Sequence, residues 1–301
     1  MVKHQFGGEW TEEKLTCLKK YLEAYRKIFS KNPKASFFTT HYVDAFAGSG
    51  FRNVKENDDP SEINSFSLFD EEDTEEVETF LKGSVQTALE ISNPFDHYLF
   101  IDNNPKFIQE LEKTKENHPN LKEKIDVELA DANKVLEEWC EKIDWSKNRA
   151  VLFIDPYGMQ VNWDVIEVIA ETEAIDLWLL FPLGVAVNRL LVKGKLPPTS
   201  WGDALTRTFG TADWKLFYNE EKRPTLFGEE ISIKKTATLR DIEEFLIERL
   251  KEIFPAVVET PLRLYNSRNN PIYLLCFAAA NEKGGKTAVK IAEDIIGKVC
   301  R

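Results

Sequence analysis

The sequence predicts an α/β fold built on an open, mostly parallel sheet, and three observations carry that prediction. Residues 41–50, HYVDAFAGSG, read as a buried strand that runs into a glycine-bearing turn. A second apolar strand, Tyr98-Leu99-Phe100-Ile101-Asp102, follows about fifty residues later. A third, Ala150-Val151-Leu152-Phe153-Ile154-Asp155, continues into Pro156-Tyr157-Gly158. Each strand ends in or near a carboxylate, which sets Asp44, Asp102 and Asp155 along one rim of the sheet. That rim is where open α/β sheets bind ligands.

The remaining elements alternate around these strands. Residues 11–29 carry Leu15, Leu18, Leu22, Tyr25 and Ile28 at helical spacing. Thr11, followed by Glu12 and Glu13, suits an N-cap. Residues 1–35 are thus an N-terminal helical extension, and strand one spans about 41–47. A helix at 83–91 leads to strand two at 97–102. Pro105 suits the first position of a helix reaching about Asn117. Strand three is 125–130, ending at Asp131, and 132–143 is helical. Strand four is 149–154, a helix covers 163–171, and strand five is 175–181. Such alternation implies right-handed crossovers and a parallel sheet.

After Pro182 the periodicity breaks. Residues 184–236 hold Trp201, Phe209, Trp214, Phe217 and Tyr218 in no clean pattern and read as an inserted lid or substrate-contacting segment. A helix at 239–253 precedes two apolar runs, 256–265 and 272–280. The polar stretch from Asn266 to Pro271 that joins them is too short for a crossover, so they form an antiparallel hairpin. A helix at 286–299 follows. No internal repeat is present.

Composition narrows the function classes. The chain has 301 residues, 43% hydrophobic and 30% charged, ordinary values for a globular protein and enough for one large domain over 1–301. No apolar run reaches the roughly 18–20 residues of a membrane helix, and MVKHQFGGEW lacks a signal-peptide core. The expected location is the cytoplasm. Cys17, Cys140, Cys276 and Cys300 lie far apart, and His4, His41, His97 and His118 are scattered, so no metal motif is expected. The net charge of −12 is uneven. Residues 56–78 hold eleven acids and no base, within a polar stretch (52–80) read as an acidic surface loop. Residues 1–55 sum to +5 and residues 186–301 to +4, which permits a nucleic-acid partner.

Five parallel strands with helices, then a helix and a terminal hairpin, resemble the class I S-adenosylmethionine-dependent methyltransferases. The resemblance implies a Rossmann-like, seven-stranded mixed sheet in the order 3-2-1-4-5-7-6, with strand seven antiparallel. It also implies a cofactor site. Gly48 and Gly50 would let the backbone approach the methionine part of S-adenosylmethionine, since glycine lacks a side chain to clash. Asp44, with Phe46 beside it, would hold the amino group. Asp102, with Asn103, would accept from the ribose hydroxyls, and Asp131 and Ala132 would meet the adenine edge. A strand-end aspartate can equally be a helix N-cap.

The loop Asp155-Pro156-Tyr157-Gly158 resembles the Asp-Pro-aromatic loops of methyltransferases that act on exocyclic amines of bases, and is closest to the Asp-Pro-Phe-Gly form. By that resemblance Asp155 and the Pro156 carbonyl would orient the NH₂ group and Tyr157 would stack on the base. Catalysis would then be largely positioning. Arg52, Arg189, Lys193, Lys195 and Arg207 are candidate phosphate contacts. The plain alternative for the loop is a tight turn.

Over nearly its full length the chain resembles the three-Cys-motif partner proteins. The resemblance is carried by KLTCLKKYLEAY (14–25), YVDAFAG (42–48), Gly83-Ser84 with Ala88-Leu89, FIDPYG (153–158) with Trp163, DLWLLFP (176–182) and IYLLCFA (272–278). It implies a prokaryotic methyltransferase that works beside a partner bearing three clustered cysteines and resembling radical S-adenosylmethionine enzymes. Two rival readings remain. Lys283-Gly284-Gly285-Lys286-Thr287 looks like the end of a phosphate-binding loop, but Ala280 stands where the motif needs glycine, so a glycine turn into the last helix is expected. The fold could also serve as a non-catalytic binding module for its partner.

Overall fold

The computed structural model describes residues 9–47, 83–156, 158–225 and 228–299. Its elements are α1 (Glu9–Lys31), β1 (Thr39–Ala45), α2 (83–89), β2 (His97–Asp102), α3 (Pro105–Glu116), β3 (Ile125–Leu129), α4 (Ala132–Lys142), β4 (Asn148–Ile154), α5 (Trp163–Glu171) and β5 (Ile175–Phe181). Beyond β5 a π-helical turn (Leu183–Val187) passes into α6 (Asn188–Leu190), followed by α7 (Thr199–Phe209), β6 (Tyr218–Thr225), β7 (Gly228–Lys235) and α8 (Leu239–Ile253). Strands β8 (Ala256–Val257), β9 (Leu262–Tyr265) and β10 (Pro271–Ala279) and helix α9 (Glu282–Val299) complete it.

The sheet runs β3-β2-β1-β4-β5-β10-β8, with β9 also paired to β10. Strands β1 to β5 are parallel, and β10 is antiparallel to β5. This is the expected Rossmann-like order of a methyltransferase-type sheet with its one reversed strand. The alternation of side chains along each strand separates two cores. Val43, Ile101, Leu152 and Ile154 pack toward α4, α5, α7 and α8. Tyr42, Tyr98, Phe100 and Phe153 pack toward α1, α2 and α9.

Several boundaries differ from expectation. Helix α1 begins at Glu9, so Thr11 lies inside it and is not its N-cap. The expected sixth strand, 256–265, is broken into β8 and β9. Pro261 stands between them, and proline cannot donate to a sheet ladder. Both pieces pair antiparallel with β10, which makes the hairpin and raises the strand count to eight. The 184–236 segment is far more regular than its sequence suggests, with α7 and the β6–β7 hairpin inside it. Strands Tyr218–Thr225 and Gly228–Lys235 are dominated by charged residues, so no apolar alternation marked them.

Lys283 to Thr287 lie within α9, where the Gly284 N–H donates to Asn281 Oδ1 at 2.6 Å. An added Cβ on Gly285 would come within 2.8 Å of the Ala256 methyl. These glycines therefore serve a helix start and its close packing. Among the described residues no helix is long and apolar enough to cross a membrane, and no group of three or more His, Cys, Asp or Glu could hold a metal ion.

Candidate active site

The site forms at the carboxyl ends of β1 and β4, on the face of the sheet covered by α1 and α2. Asp44 pairs in register with Phe100 on one side and Phe153 on the other. Its neighbour in sequence, Tyr42, points to the same face because strand side chains repeat every two residues. Asp44 is wholly buried. Its Oδ2 accepts from the Tyr42 hydroxyl at 3.1 Å, and the Ser84 hydroxyl of α2 also hydrogen-bonds the carboxylate. Its Oδ1 has no partner among the described residues. A buried acceptor left without a donor is costly, and such an atom invites a ligand that brings one.

Asp155 is the second carboxylate, 6% exposed, and it is met by Lys14 of α1. Lys14 Nζ lies 3.0 Å from Asp155 Oδ2, and the lysine side chain is completely buried. The ammonium also sits 6.0 Å from the centre of the Phe153 ring. Burial pushes the Lys14 amine down to about 8, against the pull of Asp155 and Asp44. Burial pushes Asp44 up to about 7; Ser84 opposes the rise and the nearby Asp155 charge adds to it. Asp155 is also raised by burial, while the charge and hydrogen bond of Lys14 hold it back.

The backbone around these acids is shaped tightly. Phe46, directly after β1, has φ 71°, a left-handed conformation that a bulky residue adopts only at a cost. Its ring is half-buried against the core, and the next residue, Ala47, donates its N–H to the Ile101 carbonyl at 2.8 Å. Gly158 has φ 120° and donates its N–H to the Pro156 carbonyl at 2.9 Å. The Pro156 carbonyl thus already accepts one hydrogen bond. Behind this turn lies an apolar cavity of about 20 Å³ lined by Pro156, Gly158, Trp163, Phe181 and Thr208. It has room for about one water.

The other expected site residues fall in several places. Asp102 is buried at the end of β2, where its Oδ1 accepts from the Asn104 N–H at 2.6 Å. Asn103 is exposed. Asp131 is exposed and caps α4, its carboxylate accepting from the N–H groups of Asn133 at 2.8 Å and Lys134 at 3.3 Å. That cap accounts for the aspartate without a ligand. Ala132 is buried. Arg189, Lys193, Lys195 and Arg207 are all exposed. Arg189 and Lys193 follow the carboxyl end of β5, which is parallel to β4, and Lys193 is near enough to Lys235 to help lower that amine. Gly48, Gly50, Arg52 and Tyr157 lie outside the described residues, as does the acidic loop.

Lys14, Ser84 and Tyr42 were not singled out by sequence as site residues. Lys14 left a trace: it falls four residues before Leu18, on the stripe that continues through Tyr21 and Tyr25, and a charge on an apolar stripe needs a partner.

No protein-family profile matches the chain, and no curated protein matches it in sequence. Solved structures align with it only weakly. A "conserved hypothetical protein" of Streptococcus pyogenes aligns at 11% identity over 69% of this chain and 93% of that one, with a TM-score of 0.30. A "Putative methyltransferase yhhF from Escherichia coli" aligns at 11% identity over 71% of this chain and 87% of that one, with a TM-score of 0.26. Likenesses this low say nothing of function, and it is the sheet order, with β10 reversed against β5, that makes the fold Rossmann-like and methyltransferase-type.

Proposed function

We propose that this chain is an S-adenosylmethionine-dependent methyltransferase. The observation that carries the reading is Asp44 Oδ1, a buried acceptor with no partner among the described residues, at the ligand-binding rim of the sheet. An ammonium group fits such an atom, because it brings N–H donors and positive charge to a carboxylate in a dry setting. Asp44 would hold the cofactor's amino group. Asp102, buried at the end of β2, would accept from the ribose hydroxyls. Phe46, Gly48, Gly50, Asn103, Asp131 and Ala132 complete the proposed surround. When bound, the cofactor supplies a methyl group on a positively charged sulfur.

The acceptor we favour is an exocyclic amine of a nucleic-acid base. Asp155 would take a hydrogen bond from the NH₂ through the oxygen not held by Lys14. The Pro156 carbonyl has a second lone pair for the same purpose. Tyr157 would stack on the base, and Arg52, Arg189, Lys193, Lys195 and Arg207 would meet phosphate. Catalysis by this chain would consist of orienting nitrogen toward methyl and excluding water. By its sequence resemblance the protein would work with a three-cysteine-motif partner, and the location we propose is the cytoplasm.

One observation favours a second reading. The Lys14 ammonium already pairs with Asp155, the carboxylate that the acceptor amine would use, so the chain could be a binding module for its partner that transfers nothing. The experiment that separates the two offers labelled S-adenosylmethionine to the protein with RNA, DNA and protein pools, with and without the partner. Label in nucleic acid supports the first reading. Label in protein alone rejects the base, and no label under any condition supports the binding module.

A further inference from the structure

We propose that Lys14 is a positioning residue: it claims Asp155, and thereby leaves Asp44 as the one buried carboxylate that exchanges its proton for a ligand's ammonium group. The inference rests on the reading above that the ligand carries such a group.

The geometry supplies the asymmetry. Two buried carboxylates share one buried cation, and that cation is bonded to only one of them, at 3.0 Å. Like charges in one dry site resist ionising together. Among the described residues, the groups that face Asp44 are Tyr42 from β1, Ser84 from α2, Asp155 after β4 and Lys14 from α1. Tyr42 and Ser84 are neutral donors, so Lys14 is the only positive charge among these four. With Lys14 and Asp155 cancelling, the described residues offer Asp44 no second cation. Its carboxyl, pushed up to about 7, holds a proton for much of the neutral range. A primary ammonium arriving at the unpartnered Oδ1 makes the ionised form the better one. The Asp44 O–H bond then breaks and its proton passes to solvent.

Lys14 is not there for stability. A buried ion pair is a poor source of folding energy. Helix α1 is already fixed by Cys17, Leu18, Tyr21 and Leu22, all buried, and by the Tyr21 ring, 4.9 Å from Phe277 and 5.4 Å from Trp178. The Tyr21 hydroxyl donates to Asp176 Oδ2 at 2.6 Å. These contacts hold the helix and so hold the lysine in register with Asp155.

Two measurements test the proposal. The first is infrared titration of the free protein, following the carboxylic-acid carbonyl band that Asp44→Asn removes. Its midpoint should lie near 7 in the wild type, rise by about one unit or more in Lys14→Met, and stay in place in Lys14→Arg. The second is calorimetry with S-adenosylhomocysteine in buffers of different ionisation heat. The wild type should release about one proton per ligand at pH 6 and almost none at pH 8, whereas Lys14→Met should still release about half a proton or more at pH 8. An unmoved midpoint and proton count in Lys14→Met would overturn the role of Lys14. If Lys14→Met does not fold, the double variant Lys14→Met/Asp155→Asn removes both charges together. There the Asp44 midpoint should return to near the wild-type value, and a midpoint about a unit or more away from it would overturn the pairing. Failure of S-adenosylhomocysteine to bind at all would sink the donor reading and the proton exchange, while the infrared midpoints would still decide whether Lys14 sets the charge of the pair.

Discussion

Lys14 Nζ lies 3.0 Å from Asp155 Oδ2, a buried contact between residues 141 positions apart. It ties the N-terminal helix to the loop after β4, so the rim at the end of β4 depends on α1 as well as on the sheet.

Cutting this contact from one side should be costly. Asp155→Ala leaves a fully buried lysine without that carboxylate, and breaking a buried pair costs about 3–5 kcal/mol. Asp155→Ala/Lys14→Met should recover much of that loss. Chemical denaturation of the two variants checks this, and equal stability of the single and double variants would contradict it. Methyl transfer should collapse in both, since on the proposed reading Asp155 acts at the acceptor, and in the double variant, where no unpaired cation is left beside Asp44, cofactor affinity should change little.

Asp44 should make stability fall with pH. Its carboxyl is raised to about 7 in the folded protein, against an ordinary value of 3.8. The folded state therefore binds the proton more tightly than the unfolded one. The resulting stabilisation is complete below pH 4 and lost as pH rises toward 7. Asp44→Asn removes this dependence, so the gap between variant and wild type should move by a few kcal/mol in the variant's favour between pH 4 and 8. Thermal melts across that range give the comparison, and parallel curves would show that Asp44 titrates normally. The same variant should bind S-adenosylhomocysteine tenfold or more weakly.

At the ribose end of the proposed site, Asp102→Ala removes a buried acceptor. Hydrogen bonds to a charged group contribute about 1.5–3 kcal/mol, which converts to a loss of roughly tenfold to a hundredfold in affinity. An unchanged dissociation constant would mean that the ribose is held elsewhere.

Gly184 tests the packing of β10 against the segment after β5. A Cβ there would collide with the backbone carbonyl of Pro271, and a backbone atom cannot swing aside as a side chain would. Gly184→Ala should destabilise by at least about 1–3 kcal/mol, the usual range for overpacking. Guanidinium unfolding would show it, and a variant as stable as the wild type would mean that the two backbones are further apart.

Much of this was legible in the sequence, and the reasons are local. Strand ends announce themselves when an apolar run stops at an acid, so Asp44, Asp102 and Asp155 could be placed on one rim from spacing alone. The reversed β10 was legible because six residues cannot carry a crossover. The β6–β7 hairpin was not, because strands rich in charge lack the alternation that betrays a buried face.

By itself, then, the sequence determined the succession of strands and helices and the rim on which the acids sit, and the resemblance it carries supplied the order of the sheet. Tertiary structure decided what each acid does there. Three aspartates that look alike in sequence become an exposed helix cap at Asp131, an ion-paired group at Asp155 and a buried, half-partnered acid at Asp44. Periodicity reports which face of an element is covered, whereas the charge state of a carboxylate depends on how far water is excluded and on which distant side chain, here Lys14, the fold brings within 3.0 Å.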